Sequence, residues 1–220
     1  MDEQRTLELI AGAKSAVRSI ACTKTRRPIQ PGADALESES VVTCYQLADG
    51  RYRREDSTGT VIWDGRDMWV LRPDGRQAVK SPMPMPAPLS DVLSPSWLGT
   101  GEVVLVDGGE TVVDGRPCRT VEAYGRGGHG EAAVSRGPQR YSMAVDAEYG
   151  VLLRLSDMSR GVRIDLSGIR VNDELAEALF RMVPLDGVEI IDPMKRIPGA
   201  GLSQLGRAAA RQLFRRGPRG

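Results

Sequence analysis

The segment from Tyr141 to Val171 constrains the fold more than any other part of the chain. It contains three short runs in which apolar and polar residues alternate, separated by turns that include Gly150 and Gly161. Such alternation between glycine-containing turns is typical of antiparallel strands with one buried face. At Gly168 the alternation shifts by one residue. This shift predicts a β-bulge, because a regular strand would turn its later apolar residues towards solvent. Since bulges bend a strand, the pattern predicts a curved sheet.

Asp-Gly dipeptides divide the region before this segment into short runs. They occur at residues 49–50, 64–65, 74–75, 107–108 and 114–115. Each predicts a tight hairpin turn, because both residue types tolerate the positive φ that such turns require. The runs predict antiparallel strands with no parallel pair. These strands cover residues 19–27, 39–47, 51–55, 60–63, 68–72, 77–80, 102–106, 110–113 and 117–124. A last strand, over residues 182–188, is predicted after the central segment.

Two segments predict helices that cover the sheet. The first spans residues 3–18 and places on one stripe Leu7, Ile10, Ala11, Lys14 and Val17. The second follows a proline-rich run within residues 81–98. It begins at Ser90 as the N-cap and carries the apolar residues Leu89, Val92, Leu93, Trp97 and Leu98. This second segment is interpreted either as a lid over the sheet or as a loop that fills the core.

The composition argues against several classes of function. A formal net charge of +1 predicts no nucleic-acid partner. His129 is the single histidine and lies in a glycine-rich loop, and the three cysteines show no CxxC spacing. A metal site or a histidine-based triad needs more convergent partners than these. The sequence therefore predicts no catalytic residues, no metal ligands, no cofactor and no enzymatic activity.

The N-terminus and the overall hydropathy predict where the protein resides. The first twenty residues open with acidic side chains and contain no continuous apolar segment, so they do not predict a secretion signal. The chain also lacks an apolar run long enough to cross a membrane. These features predict a cytoplasmic protein, with any membrane contact at the inner face.

Cys22 and Cys44 are expected to face each other if residues 28–38 form the loop between the first two strands. One interpretation is a pair of small apolar residues on neighbouring strands. The other is a redox-sensitive cross-strand pair. The sequence leaves both open.

The C-terminal segment, residues 193–220, carries seven basic residues and no acidic one. Residues 199–216 predict an amphipathic helix, with leucines on one side and arginines on the other. Basic helices of this kind bind anionic membrane surfaces or acidic partners. We expect such contacts from Arg207, Arg211, Arg215 and Arg216. A solvated tail is the alternative.

Three motifs in the sequence resemble those of one known family. The run Trp63–Val70 resembles the DGxxxW hairpin of the LolA-like lipoprotein carriers and their envelope-stress regulator relatives. The paired arrangement of Asp146–Leu155 followed by Ile169–Asn172 also resembles that family. Leu179–Val188 looks like its F-x-F-x-P-P-x-G ending. The resemblance covers about residues 3–190 with the motifs in matching order.

The resemblance implies an unclosed antiparallel half-barrel in which helices form a lid over a cavity for acyl chains. Together with the strand pattern, it predicts a mainly β fold. We expect a curved antiparallel sheet of about nine to eleven strands with an N-terminal helix and a lid helix, plus a C-terminal basic helix. The half-barrel domain would cover residues 1–192, and the basic tail residues 193–220. Members of the family usually reside in the periplasm or the cell envelope.

We therefore expect a membrane-associated binding protein that holds a lipid or other apolar ligand in the half-barrel, as the lipoprotein carriers do in transport. The alternative is a regulatory module that docks a protein partner through the sheet edge or the basic tail. Strands that are apolar on both faces indicate where a ligand would bind. The expected ligand contacts are Trp63, Trp69, Leu71, Leu93, Trp97, Met143, Leu153 and Leu155.

Overall fold

The computed structural model describes residues 3–29, 39–95, 103–125, 140–183 and 186–192. The helices are α1 (Glu3–Ala16), α2 (Ser90–Leu93) and a 3₁₀ helix (Glu177–Phe180). The strands are β1 (Ser19–Pro28), β2 (Ser40–Leu47), β3 (Tyr52–Asp56), β4 (Gly59–Trp63), β5 (Met68–Leu71), β6 (Gln77–Ser81), β7 (Val103–Val113), β8 (Arg116–Gly125), β9 (Arg140–Asp146), β10 (Leu152–Asp157), β11 (Val162–Val171) and β12 (Glu189–Ile191).

All twelve strands form one sheet in the order β12-β6-β5-β4-β3-β2-β1-β11-β10-β9-β8-β7. The sheet does not close on itself, since β12 and β7 lie at opposite edges. This arrangement confirms the predicted mainly β, unclosed half-barrel with an N-terminal helix and few other helices. The predicted basic helix over residues 199–216 lies outside the described residues, as does the tail as a whole.

The strand prediction was wrong at the end of the chain. The last strand is β12 instead of residues 182–188, and it runs parallel to β6. Its pairing depends on residues far apart in sequence, such as Gln77, whose side-chain amide donates to Glu189 Oε2 over 2.9 Å. The alternation of apolar and polar residues along one strand does not indicate which distant strand will pair with it. The sheet thus has one strand more than the upper limit of the prediction, and one parallel pair.

Four of the Asp-Gly dipeptides form the predicted hairpin turns, but Asp107-Gly108 does not. It lies inside β7, where the pairing with β8 shifts between Asp107 and Glu110. Gly109 has a φ of +92° and donates its N–H to Asp107 Oδ1. The dipeptide therefore bends a continuous strand, because β8 continues to pair with β7 on both sides of it.

The predicted bulge at Gly168 is confirmed. Along β1 and β11 the pairing passes from Ala21–Arg170 to Thr23–Ser167, so that β11 has one extra residue. Gly168 adopts a φ of +59°, the left-handed conformation that glycine accepts without strain. The apolar residues that the alternation predicted to be buried are buried: Tyr141, Met143, Val145, Val151, Leu153, Leu155, Val162, Ile164 and Leu166. Ala144 and Leu152 are buried as well, so the alternation is incomplete on β9 and β10.

Both helices lie on one face of the sheet, which we call the helix face; the opposite face is the outer face. In α1, Thr6, Ile10 and Ala13 are buried, and Val17 follows directly after the helix. The predicted stripe was therefore wrong in its middle, because Ala11 and Lys14 are exposed. Ala13 is buried instead of Lys14, because a buried ammonium group would need a charged partner.

The predicted lid helix is short. Ser90 is its first helical residue, and Leu89 occupies the N-cap position without a side-chain hydrogen bond. The prediction of Ser90 as N-cap was thus wrong by one residue. Leu89, Val92 and Leu93 are buried, as the pattern predicted. Trp97 and Leu98 lie outside the described residues.

The outer face is covered near β3 by the 3₁₀ helix. Its Phe180 is 1% exposed, and the guanidinium of Arg51 lies 5.7 Å from the ring centroid. Arg53 Nη1 donates to the carbonyl oxygen of Leu179 over 3.4 Å. On the same face Ile62 and Ala78 are buried. This cover explains why the central strands are apolar on both sides.

Candidate functional site

The candidate site lies on the helix face, where α2 crosses the middle of the sheet. The ammonium of Lys24 on β1 holds α2 in place. It donates to the carbonyl oxygen of Pro88 over 2.8 Å and to the two carboxylate oxygens of Asp91 over 2.9 and 2.8 Å. The side chain of Lys24 is 15% exposed and that of Asp91 is 40% exposed. One partly buried cation therefore fastens the helix to the strand beneath it.

The segment before α2 is fastened in a second place. The hydroxyl of Tyr52 on β3 donates to the carbonyl oxygen of Met85 over 3.1 Å. Tyr52, Val61, Met68 and Val70 form a small apolar cluster against which Trp63, Val79, Met85 and Ala87 pack. Burial raises the pKa of Tyr52 above its ordinary value, so the phenol stays protonated as a donor. The proline-rich run thus covers β3 to β6 as an apolar strap.

A cavity lies on each side of α2. The larger one, which we call the cleft, has a volume of about 370 Å³ and is lined by Lys24, Arg26, Asp91, Pro95, Tyr141, Leu155, Asp157, Arg160, Val162 and Ile164. The smaller one, which we call the slot, has a volume of about 180 Å³ and is lined by Lys14, Val17, Ile20, Gln46, Leu47, Ala48, Gly50, Ala87, Ser90, Leu93 and Ser94.

The cleft combines an apolar floor with a charged rim. Tyr141, Leu155, Val162 and Ile164 are each at most 9% exposed and form the floor. The rim carries three cations and two carboxylates, Lys24, Arg26, Arg160, Asp91 and Asp157. Both carboxylates already accept hydrogen bonds within the fold, one from Lys24 and the other from the backbone N–H groups of residues 159 and 160. Lys24 pairs with Asp91 over 2.8 Å and Arg160 with Asp157 over 3.6 Å, so the rim has an excess of one positive charge.

Tyr141 is one of the buried residues that line the cleft. Burial, and then the nearby Asp157 carboxylate, raise the pKa of Tyr141 above its ordinary value, although Arg160 opposes the effect. At neutral pH the cleft therefore presents a neutral hydroxyl and not a further negative charge. This adds to the contrast between its basic rim and its apolar floor.

The slot contains a buried polar atom. Gln46 Oε1 has no hydrogen-bond partner among the described residues. Its surroundings are otherwise largely apolar, since Val17, Ile20 and Leu93 line the same slot and are buried. A buried acceptor without a donor is destabilising, and a hydroxyl or amide of a bound molecule would satisfy it.

Two thiols lie beneath α2, between the cleft and the slot. On β1 the residues that face the helices are Ile20, Cys22 and Lys24, of which Ile20 lines the slot and Lys24 the cleft. Cys22 stands directly opposite Cys44 of β2, as the sequence predicted, and both are free thiols. They are 4% and 0% exposed. The remaining free thiol, Cys118, lies on β8 and is also buried.

The structure brings together only some of the expected ligand contacts. Leu93 lines the slot and Leu155 lines the cleft. Met143 and Leu153 are fully buried in the core. Trp63 lies on the helix face, opposite Met68 in the strand register. As ligand contacts, these residues remain a prediction.

Trp69 and Leu71 lie on the outer face, because they alternate with Met68 and Val70 along β5. Lys80 Nζ is 5.1 Å from the Trp69 ring centroid, and the indole N–H donates to Asp64 Oδ2 over 3.3 Å. These two residues are therefore separated from both cavities by the sheet. Trp97, Arg207, Arg211, Arg215 and Arg216 lie outside the described residues.

Sequence reasoning missed the basic rim. Lys24 and Arg26 continue the alternation that places Ile20 and Cys22 on the helix face. The same alternation could therefore have predicted that both basic side chains lie on this face. Arg160 carried no such signal, because it belongs to the turn between β10 and β11 and reaches the cleft only through the fold.

Among the described residues no cluster of three or more His, Cys, Asp or Glu side chains could hold a metal ion. In the same residues, none of the helices has the length and apolar character needed to span a bilayer.

No protein-family model and no curated protein matches the chain. Its fold is similar to several solved structures. In the Pseudomonas aeruginosa MucA/MucB complex the match has 17% identity and a TM-score of 0.46, over 81% of this chain and 61% of the other. LprF from Mycobacterium bovis matches with 12% identity and a TM-score of 0.48, over 79% and 96%. A LolA-superfamily protein from Nitrosomonas europaea matches with 14% identity and a TM-score of 0.36, over 83% and 98%.

The chain spans less than two thirds of the length of MucB, 62% in its uncomplexed structure. One of these structures is of a LolA-superfamily protein, the kind of protein whose motifs the sequence resembles. The description of this chain as an unclosed half-barrel follows from its own strand order and bulges.

Proposed function

We propose that this chain is a non-enzymatic binding protein that holds a lipid-like ligand, an acyl chain with an anionic head, in the half-barrel beneath α2. The observation that carries the proposal is the cleft, in which a buried apolar floor meets a rim with excess positive charge. Its volume of about 370 Å³ falls in the range of small-molecule sites, which is about 300–1,000 Å³.

The chemistry of the rim supports an anionic head. An acyl chain on Leu155, Val162 and Ile164 removes apolar surface from water, which favours binding of any long hydrocarbon. The guanidinium groups of Arg26 and Arg160 favour a carboxylate or phosphate at the mouth, whereas the ammonium of Lys24 is already engaged by Pro88 and Asp91. A neutral hydrocarbon would gain only the first of these contributions.

The short helix α2 is proposed as the lid that separates two parts of one binding site. It borders the cleft through Asp91 and the slot through Ser90 and Leu93. A movement of α2 away from β1 would join the two cavities into one longer channel. Gln46 in the slot would then meet a polar group farther along the ligand.

Native mass spectrometry of the purified full chain tests for a co-purifying lipid. Laurate binding to the delipidated protein then locates the site. Val162→Phe places a phenyl ring in the cleft. We expect it to weaken laurate binding about tenfold or more, which corresponds to a loss of about 1.4 kcal/mol in the free energy of binding. Trp69→Ala, on the outer face, is the matched control and should bind laurate like the unchanged protein. Equal affinity in both folded variants would remove the cleft as the site.

A second candidate function is the docking of a protein partner along β7. This strand forms an edge of the sheet, and its residues Val104, Val106 and Val112 are 41%, 49% and 68% exposed. Exposed edge strands accept an extended peptide as an additional strand. Val106→Lys would abolish such binding and leave laurate binding unchanged, which separates this candidate from the first.

Contact of the basic tail with an anionic membrane remains a further proposal. Co-sedimentation with anionic vesicles, before and after removal of residues 199–220, tests it. The full chain should pellet at low salt, and the shortened chain should not. Equal pelleting of the two chains would assign the membrane contact to the half-barrel.

A further inference from the structure

We propose that Cys22 and Cys44 form a thiol–disulfide redox site beneath α2, which exchanges with low-molecular-weight disulfides such as oxidised glutathione. The site does not depend on the nature of the ligand in the cleft. Three features distinguish this site from a pair of apolar core residues. They are its position, the charges around it and the strain of the disulfide that the two cysteines would form.

The position of the two cysteines permits a disulfide. They are directly opposite each other in the antiparallel pair β1–β2. The Ala48 N–H donates to the Arg18 carbonyl over 2.8 Å, and counting along the register from this bond places Cys22 and Cys44 at a hydrogen-bonded position. The Cα atoms of such pairs lie about 5.5 Å apart, which is within the range that disulfides span.

The surroundings of Cys44 favour its thiolate. Cys22 lies opposite it on one side and Arg54 of β3 on the other. A hydrogen bond from Cys22, together with the positive charges of Lys24 and Arg54, lowers the pKa of Cys44, although burial opposes this effect. The hydrogen bond to Cys44 and then burial raise the pKa of Cys22. The positive charges of Arg54 and Lys24 favour Cys44 as the attacking sulfur, with Cys22 losing its proton in the second step.

The reaction is a balanced exchange. The Cys44 thiolate attacks one sulfur of the small disulfide, whose S–S bond breaks, and the departing thiolate takes up a proton. The Cys22 thiol then loses its proton and attacks the Cys44 sulfur of the mixed disulfide, which releases the second small thiol. Two protein thiols are oxidised to one disulfide, and one small disulfide is reduced to two thiols.

The resulting disulfide is expected to be easily reduced. At a hydrogen-bonded position the Cβ atoms lie farther apart than the about 3.8 Å that disulfides favour, so closure strains the sheet. Strained disulfides have less negative reduction potentials and are typical of labile, regulatory sites. A bond between β1 and β2 would also tighten the strands on which α2 rests, next to Lys24.

Access to the thiols requires movement of α2, since both are nearly fully buried. Asp91→Asn weakens the attachment of α2 to Lys24 and also removes a negative charge that raises the pKa of Cys44, and both effects should speed oxidation. If that attachment contributes about 1 kcal/mol, its loss should speed oxidation about fivefold. Cys118 is an internal control, because it is buried on a different strand and burial raises its pKa.

The test uses the reduced, folded full chain incubated with oxidised glutathione, followed by alkylation after unfolding and peptide mass mapping. We expect a Cys22–Cys44 disulfide with Cys118 alkylated, reversal by dithiothreitol, and no intramolecular disulfide in Cys44→Ala. Circular dichroism checks that the protein stays folded during oxidation. Alkylation of all three cysteines at every glutathione ratio would overturn the site. Equal oxidation rates in Asp91→Asn and the unchanged protein would overturn the route beneath α2.

Discussion

Gly150, in the turn between β9 and β10, lies directly beneath the carbonyl group of Leu9 in α1. A Cβ atom at this position would stand 2.1 Å from the Leu9 oxygen and 2.6 Å from its carbon. Gly150 also has a φ of +72°. This close approach of two backbones fixes α1 on the helix face.

Gly150→Ala should therefore destabilise the fold strongly, because either the turn or α1 must move. We expect a loss of about 3 kcal/mol or more in the free energy of unfolding, measured by urea titration. Gly161→Ala is the matched control, since Gly161 has a φ of +65° with nothing near its would-be Cβ. Its cost should be about 1–2 kcal/mol, the cost of the left-handed backbone alone. Equal losses would contradict the contact with Leu9.

Phe180 should be the residue that holds the outer cover in place. Its side chain is almost fully buried against the sheet near Arg51. Phe180→Ala should lower the free energy of unfolding by about 3–5 kcal/mol, because it leaves a cavity over the outer face. Leu179→Ala changes the half-buried neighbouring residue and should cost less than half as much. Similar values for the two variants would argue against a specific role of Phe180.

Asp165 should make stability depend on pH. It accepts hydrogen bonds from Arg27, Arg154 and Arg163 over 2.8–3.1 Å. Burial of the carboxyl opposes ionisation, but the bonds from Arg163 and Arg154 outweigh it and hold the pKa of Asp165 below its ordinary value of 3.8. Because the folded pKa is depressed, the stabilisation is present above pH 3.8 and is lost as the pH falls through the folded pKa.

Asp165→Asn should therefore cost about 1–2 kcal/mol of unfolding free energy at neutral pH, where three arginines lose their counterion. The difference from the unchanged protein should shrink as the pH falls below 3.8. Denaturant titrations at several pH values measure it. Glu122→Gln removes the partner of a single exposed arginine, Arg140, and should change stability by less than about 0.5 kcal/mol. A pH-independent difference for Asp165→Asn would contradict the depressed pKa.

Arg160 should distinguish anionic from neutral ligands. It lies on the rim of the cleft with a side chain that is 68% exposed, so its removal should leave the fold intact. Arg160→Gln is expected to weaken the binding of laurate about threefold to fivefold and to leave lauryl alcohol unaffected. Arg140→Gln, at a comparably exposed arginine outside the cleft, should change neither. Equal loss for both ligands would mean that Arg160 contacts the acyl chain and not the head.

The hairpins of this protein were predictable because their causes are local. At Asp114 and Gly115 both residues have positive φ, which few other residue pairs accept at low cost. The same reasoning failed at Asp107-Gly108, where the dipeptide is equally permissive. There the side chain of Thr120 packs against Gly108, and Arg119 binds the Asp107 carboxylate, so pairing with β8 keeps the strand continuous.

The candidate site was predictable in kind but not in its members. Alternation showed that Trp63 and Trp69 belong to apolar strands, but both faces of those strands are apolar. The register assigns Trp63 to the helix face and Trp69 to the outer face. Only the packing of α2 and the 3₁₀ helix decides which face borders a cavity, because burial on either side would satisfy the same sequence pattern.

The sequence by itself determined the class of the fold, its antiparallel hairpins, the bulge at Gly168 and the opposition of Cys22 and Cys44. These features depend on a side-chain period of two and on backbone conformations that single residues permit. The tertiary structure decided the parallel return of β12, the attachment of α2 to Lys24 and the basic rim that Arg160 completes. These features depend on contacts between residues distant along the chain, which the fold must first bring together.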